Sequence, residues 1–264
     1  LRAYPSINNI LIQNMALVNG KVSINKLSKE FDETFVKKNN EKKLNEINFD
    51  FNDSIEFKNI SFNYPDRKNT LTNLSLKIPK NKITGIKGET GAGKSTIIKL
   101  VMNLLQPSTG VIEVDGSDLD KIKSGWQKKI SYIPQNYYIL NETILENIVF
   151  SEETNKHNYE KISKILKFSK LDEFINSLPE KLNTIVGPSG KILSGGQAQR
   201  LSIARALYQD REVLIFDEAT NALDEETEAE ILKNIHGLKK TKTIIIISHS
   251  SKVLDICDEI LEIK

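Results

Sequence analysis

The sequence has very little cysteine and histidine: Cys257 is the single cysteine among 264 residues, and three histidines are scattered along the chain. One thiol cannot form an intrachain disulfide, so we expect a reducing compartment, and the scattered His and Cys predict no zinc-type cluster. No run reaches about 18 apolar residues, so we expect that this chain does not cross a bilayer by itself. Lys and Arg (37) nearly balance Asp and Glu (35), which leaves no electrostatic footprint for nucleic acid and predicts no nucleic-acid partner.

The composition is that of a folded protein with an appendage. Apolar residues make up 39% and charged residues 27% of the sequence, which is enough apolar surface for a core. The chain begins at Leu1 without a signal-peptide pattern, and we expect it to be a fragment of a longer protein. Apolar residues in 1–18 recur at helical spacing, which fits either the end of a membrane helix or an ordinary amphipathic helix. Residues 37–53 are rich in Lys, Asn and Glu and predict a solvated linker, and we predict a folded domain over 54–264.

The order of predicted elements in 54–264 indicates an α/β fold. IEFKNISFNY and LTNLSLKI alternate as antiparallel strands do, on either side of a Pro-Asp turn. After residue 83, strands such as ITGIKG, VLIFDE and TIIIIS alternate with helical patterns. We therefore predict a mostly parallel sheet covered by helices on both faces, with an antiparallel β subdomain fused to it.

A glycine-rich loop carries the strongest chemical signal. The segment from Gly88 to Ser95 fits the pattern G-x-x-x-x-G-K-[ST], between a predicted strand and a predicted helix. Its backbone N–H groups and the helix N-terminus suit phosphate oxygens, Lys94 would reach the β- and γ-phosphates, and Ser95 would ligate Mg²⁺. The alternative, a glycine-rich turn with an exposed lysine, is much weaker in this context. The predicted ATP-binding residues of the loop are Gly88, Glu89, Thr90, Gly91, Ala92, Gly93, Lys94, Ser95 and Thr96.

Two carboxylates follow a second buried strand. In VLIFDE, four apolar residues lead directly into Asp217 and Glu218. An acid at the end of a buried strand is costly unless it has a role at the carboxyl edge of the sheet. We predict that Asp217 is a Mg²⁺ ligand and that Glu218 is the base for an attacking water. A strand running into a solvated acidic turn is the simpler alternative.

A third motif resembles the signature of the ATP-binding cassette (ABC) family. It is Leu-Ser-Gly-Gly-Gln just before a predicted helix: Leu193, Ser194, Gly195, Gly196 and Gln197. Two glycines and a serine at a helix start form an anion site, so the chain has two separate phosphate-binding loops. The resemblance implies that this signature acts in trans on the nucleotide of a second cassette, most simply in a homodimer.

Other landmarks of that family follow in order over residues 54–264. Tyr64 resembles the aromatic residue that stacks on adenine, and Gln135 resembles the Q-loop glutamine, which binds ATP, senses the metal and takes part in catalysis. Asn221-Ala-Leu-Asp224 resembles the D-loop, with Asn where Ser is commoner, and His249 resembles the switch histidine. The resemblance thus implies Glu218, His249, Gln135 and Lys94 as catalytic residues and Ser95, Gln135 and Asp217 as metal ligands. It also implies a helical subdomain that carries the signature.

The resemblance further implies a transport function. The start of the chain is similar to the end of the last membrane helix of half-exporters, so residues 1–36 are interpreted as its remnant and cytoplasmic extension. The resemblance implies ATP and Mg²⁺ as cofactors and a transmembrane domain of the same polypeptide as a partner. It also implies a location at the cytoplasmic face of the inner membrane. Bacterial exporters (flippases) of lipid-linked oligosaccharides or polysaccharides look most similar. Peptide, protein or drug export stays open, as do a non-hydrolysing regulatory cassette and a soluble ABC ATPase.

Overall fold

The computed structural model describes residues 13–15, 17, 20–21, 23–28, 49–65, 67–150, 157–187, 190 and 192–263. The chain divides into two compact units, Leu1–Ile47 and Asn48–Lys264. In the first unit the described residues, between 13 and 28, are helical and exposed. The rest of the predicted membrane-helix remnant and most of the predicted linker lie outside the described residues. None of the helices in the described ranges combines the length and apolarity needed to cross a membrane.

An antiparallel sheet opens the second unit. Its strands are β1 (Ser54–Tyr64), β2 (Arg67–Pro79), β4 (Thr109–Val114) and β5 (Ser117–Asp118), in the spatial order β2-β1-β4-β5. Ile55, Phe57 and Ile60 of β1 are almost completely buried, because the irregular register of its pairing with β2 keeps large apolar residues on the core side.

A five-stranded parallel sheet forms the centre. Its strands are β3 (Ile83–Gly88), β6 (Ile130–Ile133), β7 (Val213–Asp217), β8 (Thr243–Ile247) and β9 (Glu259–Ile263), in the order β6-β7-β8-β3-β9. All their pairings are parallel. Every residue of β7 and β8 is buried, as expected of apolar strands covered on both faces. The carboxyl ends of β3, β6, β7 and β8 consequently meet at one edge.

The second unit also contains several helices. They are α1 (Lys94–Val101), α2 (Lys123–Gln127), α3 (Ile144–Val149), α4 (Tyr159–Phe168), α5 (Asp172–Ser177), α6 (Gly195–Tyr208), α7 (Glu225–Leu238) and α8 (Ser251–Leu254), with a 3₁₀ turn at Lys181–Asn183. Helices α3, α4, α5 and part of α6 bury their own apolar cluster, which includes Ile148, Ile162 and Leu201. This is a helical subdomain that carries the signature segment at the start of α6. The predicted fold class is confirmed.

The folded unit begins before the boundary that the sequence predicted at Ser54. Phe51 is 1% exposed, and its ring meets that of Trp126 edge-to-face at a centroid distance of 5.5 Å. The carboxylate of Asp115 accepts hydrogen bonds from the backbone N–H of Asp53 (2.8 Å) and Ser54 (2.9 Å). The last residues of the predicted linker are therefore part of the core, since the ring of Phe51 is buried against Trp126.

Candidate functional site

The glycine-rich loop connects β3 to α1 through backbone that only glycine adopts easily. Gly91 (φ +89°) and Gly93 (φ +97°) both lie in the left-handed region. A Cβ at Gly93 would come within 2.6 Å of Leu71 Cδ2, and a Cβ at Gly88 within 2.5 Å of the carbonyl oxygen of Ile263. The loop is thus fixed in shape by close packing against β2 and β9, and Gly93 places the start of α1 directly at its end.

Lys94 lies across this loop. It is the first residue of α1, and its Nζ donates to the carbonyl oxygens of Gly88 (2.7 Å) and Glu89 (2.8 Å). The residue is 7% exposed. The two carbonyls hold the ammonium against the first residues of the loop, where it would meet an anion bound to the backbone N–H groups.

A cavity of about 430 Å³ opens above the loop. This volume lies in the range of small-molecule sites. Its lining residues come from six segments of the chain: Tyr64, Thr70, Thr90, Gly91, Gly93, Lys94, Ser95, Thr96, Gln135, Asp217, Glu218, Ile247 and His249. Gly88, Glu89 and Ala92 line an adjoining cavity together with His249. The structure thus brings the predicted loop residues together with the predicted carboxylates, glutamine and histidine.

Tyr64 lies at the rim of the cavity, at the end of β1. Its ring meets Phe62 edge-to-face at 4.9 Å, and Lys99 Nζ lies 5.9 Å from its centroid. Its hydroxyl is 3.5 Å from Thr96 Oγ1 in α1. These contacts fix an aromatic face beside the phosphate loop.

Asp217 ends β7 as a buried carboxylate. It is 8% exposed, and the hydroxyl of Tyr132 donates to its Oδ2 at 2.9 Å. Burial raises the pKa of Asp217; the bond from Tyr132 opposes that shift, and the charge of Glu218 adds to it. Burial also raises the pKa of the Tyr132 hydroxyl, and the negative charge of Asp217 adds to this, so the tyrosine remains a donor at neutral pH.

Glu218 is held by three side chains from different segments. Its Oε2 accepts hydrogen bonds from Gln135 Nε2 (2.6 Å) and Asn221 Nδ2 (3.1 Å), and its Oε1 lies 3.5 Å from His249 Nε2. The residue itself has φ +50°, and its N–H donates to the carbonyl of Ile247 in β8. A non-glycine residue in this conformation is unusual and is found where surrounding contacts fix it.

The oxygen donors of the cavity suit a hard divalent cation. The hydroxyl of Ser95, the amide of Gln135 and the carboxylate of Asp217 line one cavity beside the phosphate loop. Mg²⁺ is commonly held by one or two carboxylates plus substrate phosphates, and this donor set fits that arrangement. In the described part of the chain, no group of three or more His, Cys, Asp and Glu side chains could hold a metal alone.

The signature segment begins α6 and lies outside the lining of this cavity. The side chain of Ser194 accepts the N–H of Gln197 (3.2 Å), and the side chain of Gln197 accepts the N–H of Ser194 (2.9 Å), which is a complete capping box. Leu193 packs against the helical subdomain. A Cβ at Gly195 would lie 3.4 Å from Tyr137 Oη, and one at Gly196 would lie 3.1 Å from the carbonyl oxygen of Ala222.

Gln199 ties the signature helix to the D-loop segment. Its Nε2 donates to the carbonyl of Glu218 (3.5 Å), and its Oε1 accepts the N–H of Ala222 (3.0 Å). Further along that segment, Asp224 caps α7 by accepting the N–H of Thr227 (2.9 Å), and this backbone bond lowers the pKa of its carboxyl. The signature helix and the D-loop segment are therefore hydrogen-bonded to each other through Gln199 within one chain.

Comparison with known proteins decides the family. The sequence model described as "ABC transporter" matches residues 71–221, which is more than half of the chain. The chain belongs to the ABC transporter family. This cassette is similar to the "ATP-dependent lipid A-core flippase" of Photorhabdus laumondii (39% identity, 81% of this chain, 37% of the relative). It is also similar to a "Putative export ATP-binding/permease protein" of Rickettsia typhi (41% identity, 80% and 37%).

Another relative is named for translocation of alpha-hemolysin. The "Alpha-hemolysin translocation ATP-binding protein" of Proteus vulgaris is 39% identical over 80% of this chain and 30% of its own length. Among solved structures, a "bacterial Atm1-family ABC exporter with ATP bound" matches with a TM-score of 0.75 and 33% identity, over 80% of this chain and 37% of that one. The cassette spans about 37% of the length of the first curated relatives it matches.

Several residues of the cassette site have no role in the sequence-based prediction. Thr70 lines the cavity, Tyr132 bonds Asp217, and Gln199 bridges α6 to the D-loop. In the sequence Tyr132 is only the residue three positions before Gln135, and the pairing of β6 with β7 brings its hydroxyl to Asp217. Thr70 and Gln199 belong to no local pattern, and only the fold brings them to the site.

Proposed function

We propose that this cassette hydrolyses ATP and powers an exporter. The observation that carries the proposal is the cavity above the glycine-rich loop, where Lys94, Gln135, Asp217, Glu218 and His249 converge from separate segments. Phosphoryl transfer needs positioning and charge stabilisation more than covalent chemistry, and this set of side chains supplies both.

The residues of the cavity would have separate roles in ATP hydrolysis. Backbone N–H groups of the loop and Lys94 would bind the phosphates, and His249 would contact the γ-phosphate. Ser95, Asp217 and Gln135 would hold Mg²⁺, which supplies positive charge at the phosphate oxygens when bound. Glu218 would orient and deprotonate water. Its Oε2 already accepts hydrogen bonds from Gln135 and Asn221, which would hold the carboxylate in place for that water.

A second cassette would complete the site. Ser194 and its neighbours lie outside the lining of the cavity, at the exposed start of α6. Two copies facing head to tail would place the signature of each on the nucleotide of the other. We further propose that a transmembrane domain of the same polypeptide uses the closing and opening of this pair, with the cassettes on the cytoplasmic face of the inner membrane.

The class of transported molecule is a separate proposal, because the cassette itself does not identify it. Relatives named for lipid A-core flipping and for hemolysin translocation are both 39% identical to this chain, so cassette identity does not separate lipid from protein substrates. A lipid-linked oligosaccharide or a related glycolipid is our proposed substrate, and its contacts would lie in the membrane domain.

The test is phosphate release from ATP–Mg²⁺ across a range of chain concentrations. Wild type should show turnover per chain that rises with concentration, because the active form is a dimer. Glu218→Gln should lose turnover by at least about 100-fold, since an amide cannot accept a proton from water. Glu173→Gln, a change at an exposed carboxylate of α5, is the matched control and should behave as wild type.

Light scattering on the same variants provides a second measurement. Glu218→Gln should dimerise in ATP–Mg²⁺, because the nucleotides that join the two copies are no longer hydrolysed. A monomeric Glu218→Gln variant in saturating ATP–Mg²⁺ would contradict the composite site. Wild-type binding of ATP without turnover at any concentration would favour a regulatory cassette instead.

A further inference from the structure

One contact at the site has no part in the function proposed above. Tyr132 lies on β6, the edge strand of the parallel sheet, and its hydroxyl donates to Asp217 Oδ2 at 2.9 Å. The contact joins side chains that are 85 residues apart in the sequence. It links the strand that leads into Gln135 to the carboxylate that would hold the metal.

The register of the two strands explains why a tyrosine is needed here. Strands β6 and β7 run parallel, with Tyr132 beside Ile215, so Asp217 lies two residues further along on the same face. Two residues of strand correspond to about 6.6 Å, which is the distance that a tyrosine ring and hydroxyl can bridge when the side chain leans along the strand. A shorter side chain at this position would not reach the carboxylate.

We propose that Tyr132 is a positioning residue for the metal-binding carboxylate of Asp217, an inference that rests on the proposed function. The hydroxyl occupies Oδ2 only and leaves the second oxygen of the carboxylate to the metal site. It also fixes the rotamer of a side chain that is 8% exposed. Hydrogen bonds from a second layer of residues commonly orient metal ligands in this way.

A purely structural role fits the environment of Tyr132 less well. The residue is 39% exposed and lies on an edge strand. Tyr132→Phe keeps the ring and its packing and removes only the oxygen that contacts Asp217. Tyr138→Phe is a matched control, because Tyr138 follows Gln135 in the same segment and is 72% exposed.

The experiment measures how much the metal strengthens nucleotide binding. The dissociation constant of a non-hydrolysable ATP analogue, AMP-PNP, is determined for the whole chain in Mg²⁺ and in EDTA, and their ratio gives the coupling between metal and nucleotide. For Tyr132→Phe this coupling should fall roughly tenfold, while the EDTA constant changes less than about twofold. In ATPase assays the Mg²⁺ concentration for half-maximal rate should rise by a similar factor, and kcat should recover at saturating Mg²⁺.

Each alternative outcome has a distinct meaning. Unchanged coupling in Tyr132→Phe, with or without a lower unfolding temperature, would overturn the inference and leave the proposed function standing. If Tyr132→Phe weakened AMP-PNP binding equally in Mg²⁺ and in EDTA, the inference would also be overturned, because the effect would be on nucleotide binding and not on the metal. A wild-type chain without metal coupling would overturn the metal role of Asp217, and this inference with it. A Tyr138→Phe variant that loses coupling would also contradict it.

Discussion

Replacing Phe51 by alanine tests whether the segment ahead of β1 belongs to the folded cassette. Phe51 is 1% exposed, and its ring contacts Trp126 edge-to-face. Truncating a buried phenylalanine to alanine costs about 3–5 kcal/mol, and the aromatic pair contributes about 0.5–1.5 kcal/mol of this. For a domain of this size each kcal/mol lowers the unfolding temperature by about 2–4 °C, so we expect a fall of roughly 10 °C.

The chain contains its own probe for this prediction. Trp126 is the single tryptophan in the sequence, it is fully buried, and its indole N–H donates to the carbonyl of Val101 at 2.7 Å. Urea unfolding followed by its emission gives the free energy of unfolding, with far-UV circular dichroism as a second signal. In Phe51→Ala the native emission should also change, because the ring that packs edge-to-face against the indole is removed.

Two controls sharpen the result. Phe51→Leu keeps most of the volume and should cost about 1–1.5 kcal/mol. Phe150→Ala removes an aromatic side chain that is 45% exposed and should cost less than about 1 kcal/mol. If Phe51→Ala unfolded at the same urea concentration as Phe150→Ala, with the native emission of wild type, the segment would be an ordinary linker and our boundary would be wrong.

Two further predictions concern the stability of the nucleotide-free chain. Ser194→Ala removes the capping box of α6 and should cost about 1 kcal/mol, seen as a fall of roughly 2–4 °C in the unfolding temperature; an unchanged temperature would contradict the cap. Asp217→Asn should instead stabilise the chain at pH 7, by on the order of 1 kcal/mol. Burial, together with the charge of Glu218, raises the folded-state pKa of Asp217 above its unfolded value, so the ionised form costs free energy above that raised pKa. The gain should therefore shrink as the pH falls through the raised pKa and vanish below about pH 4. Urea unfolding of both chains from pH 8 downward measures it, and a gain independent of pH would refute the reasoning.

The elements that could be predicted from sequence are those whose pattern is local. Strands β7 and β8 are uninterrupted apolar runs, and the glycine-rich loop combines a fixed spacing with a strand before it and a helix after it. Phe51 could not be predicted in the same way. It is one aromatic residue in a polar stretch, and its burial depends on Trp126, which is 75 positions further along and reached only through the fold.

The same distinction applies within the site, where motifs supply the residues and strand order supplies their contacts. Gln135 and Glu218 are 83 positions apart, and their hydrogen bond exists because β6 lies next to β7. His249 reaches the other oxygen of Glu218 because β8 lies on the opposite side of β7. A sequence with identical motifs and a different strand order would separate these side chains. The carboxylate that we propose as the base is thus connected to both neighbouring strands, so movement of either the Gln135 or the His249 segment would change its surroundings.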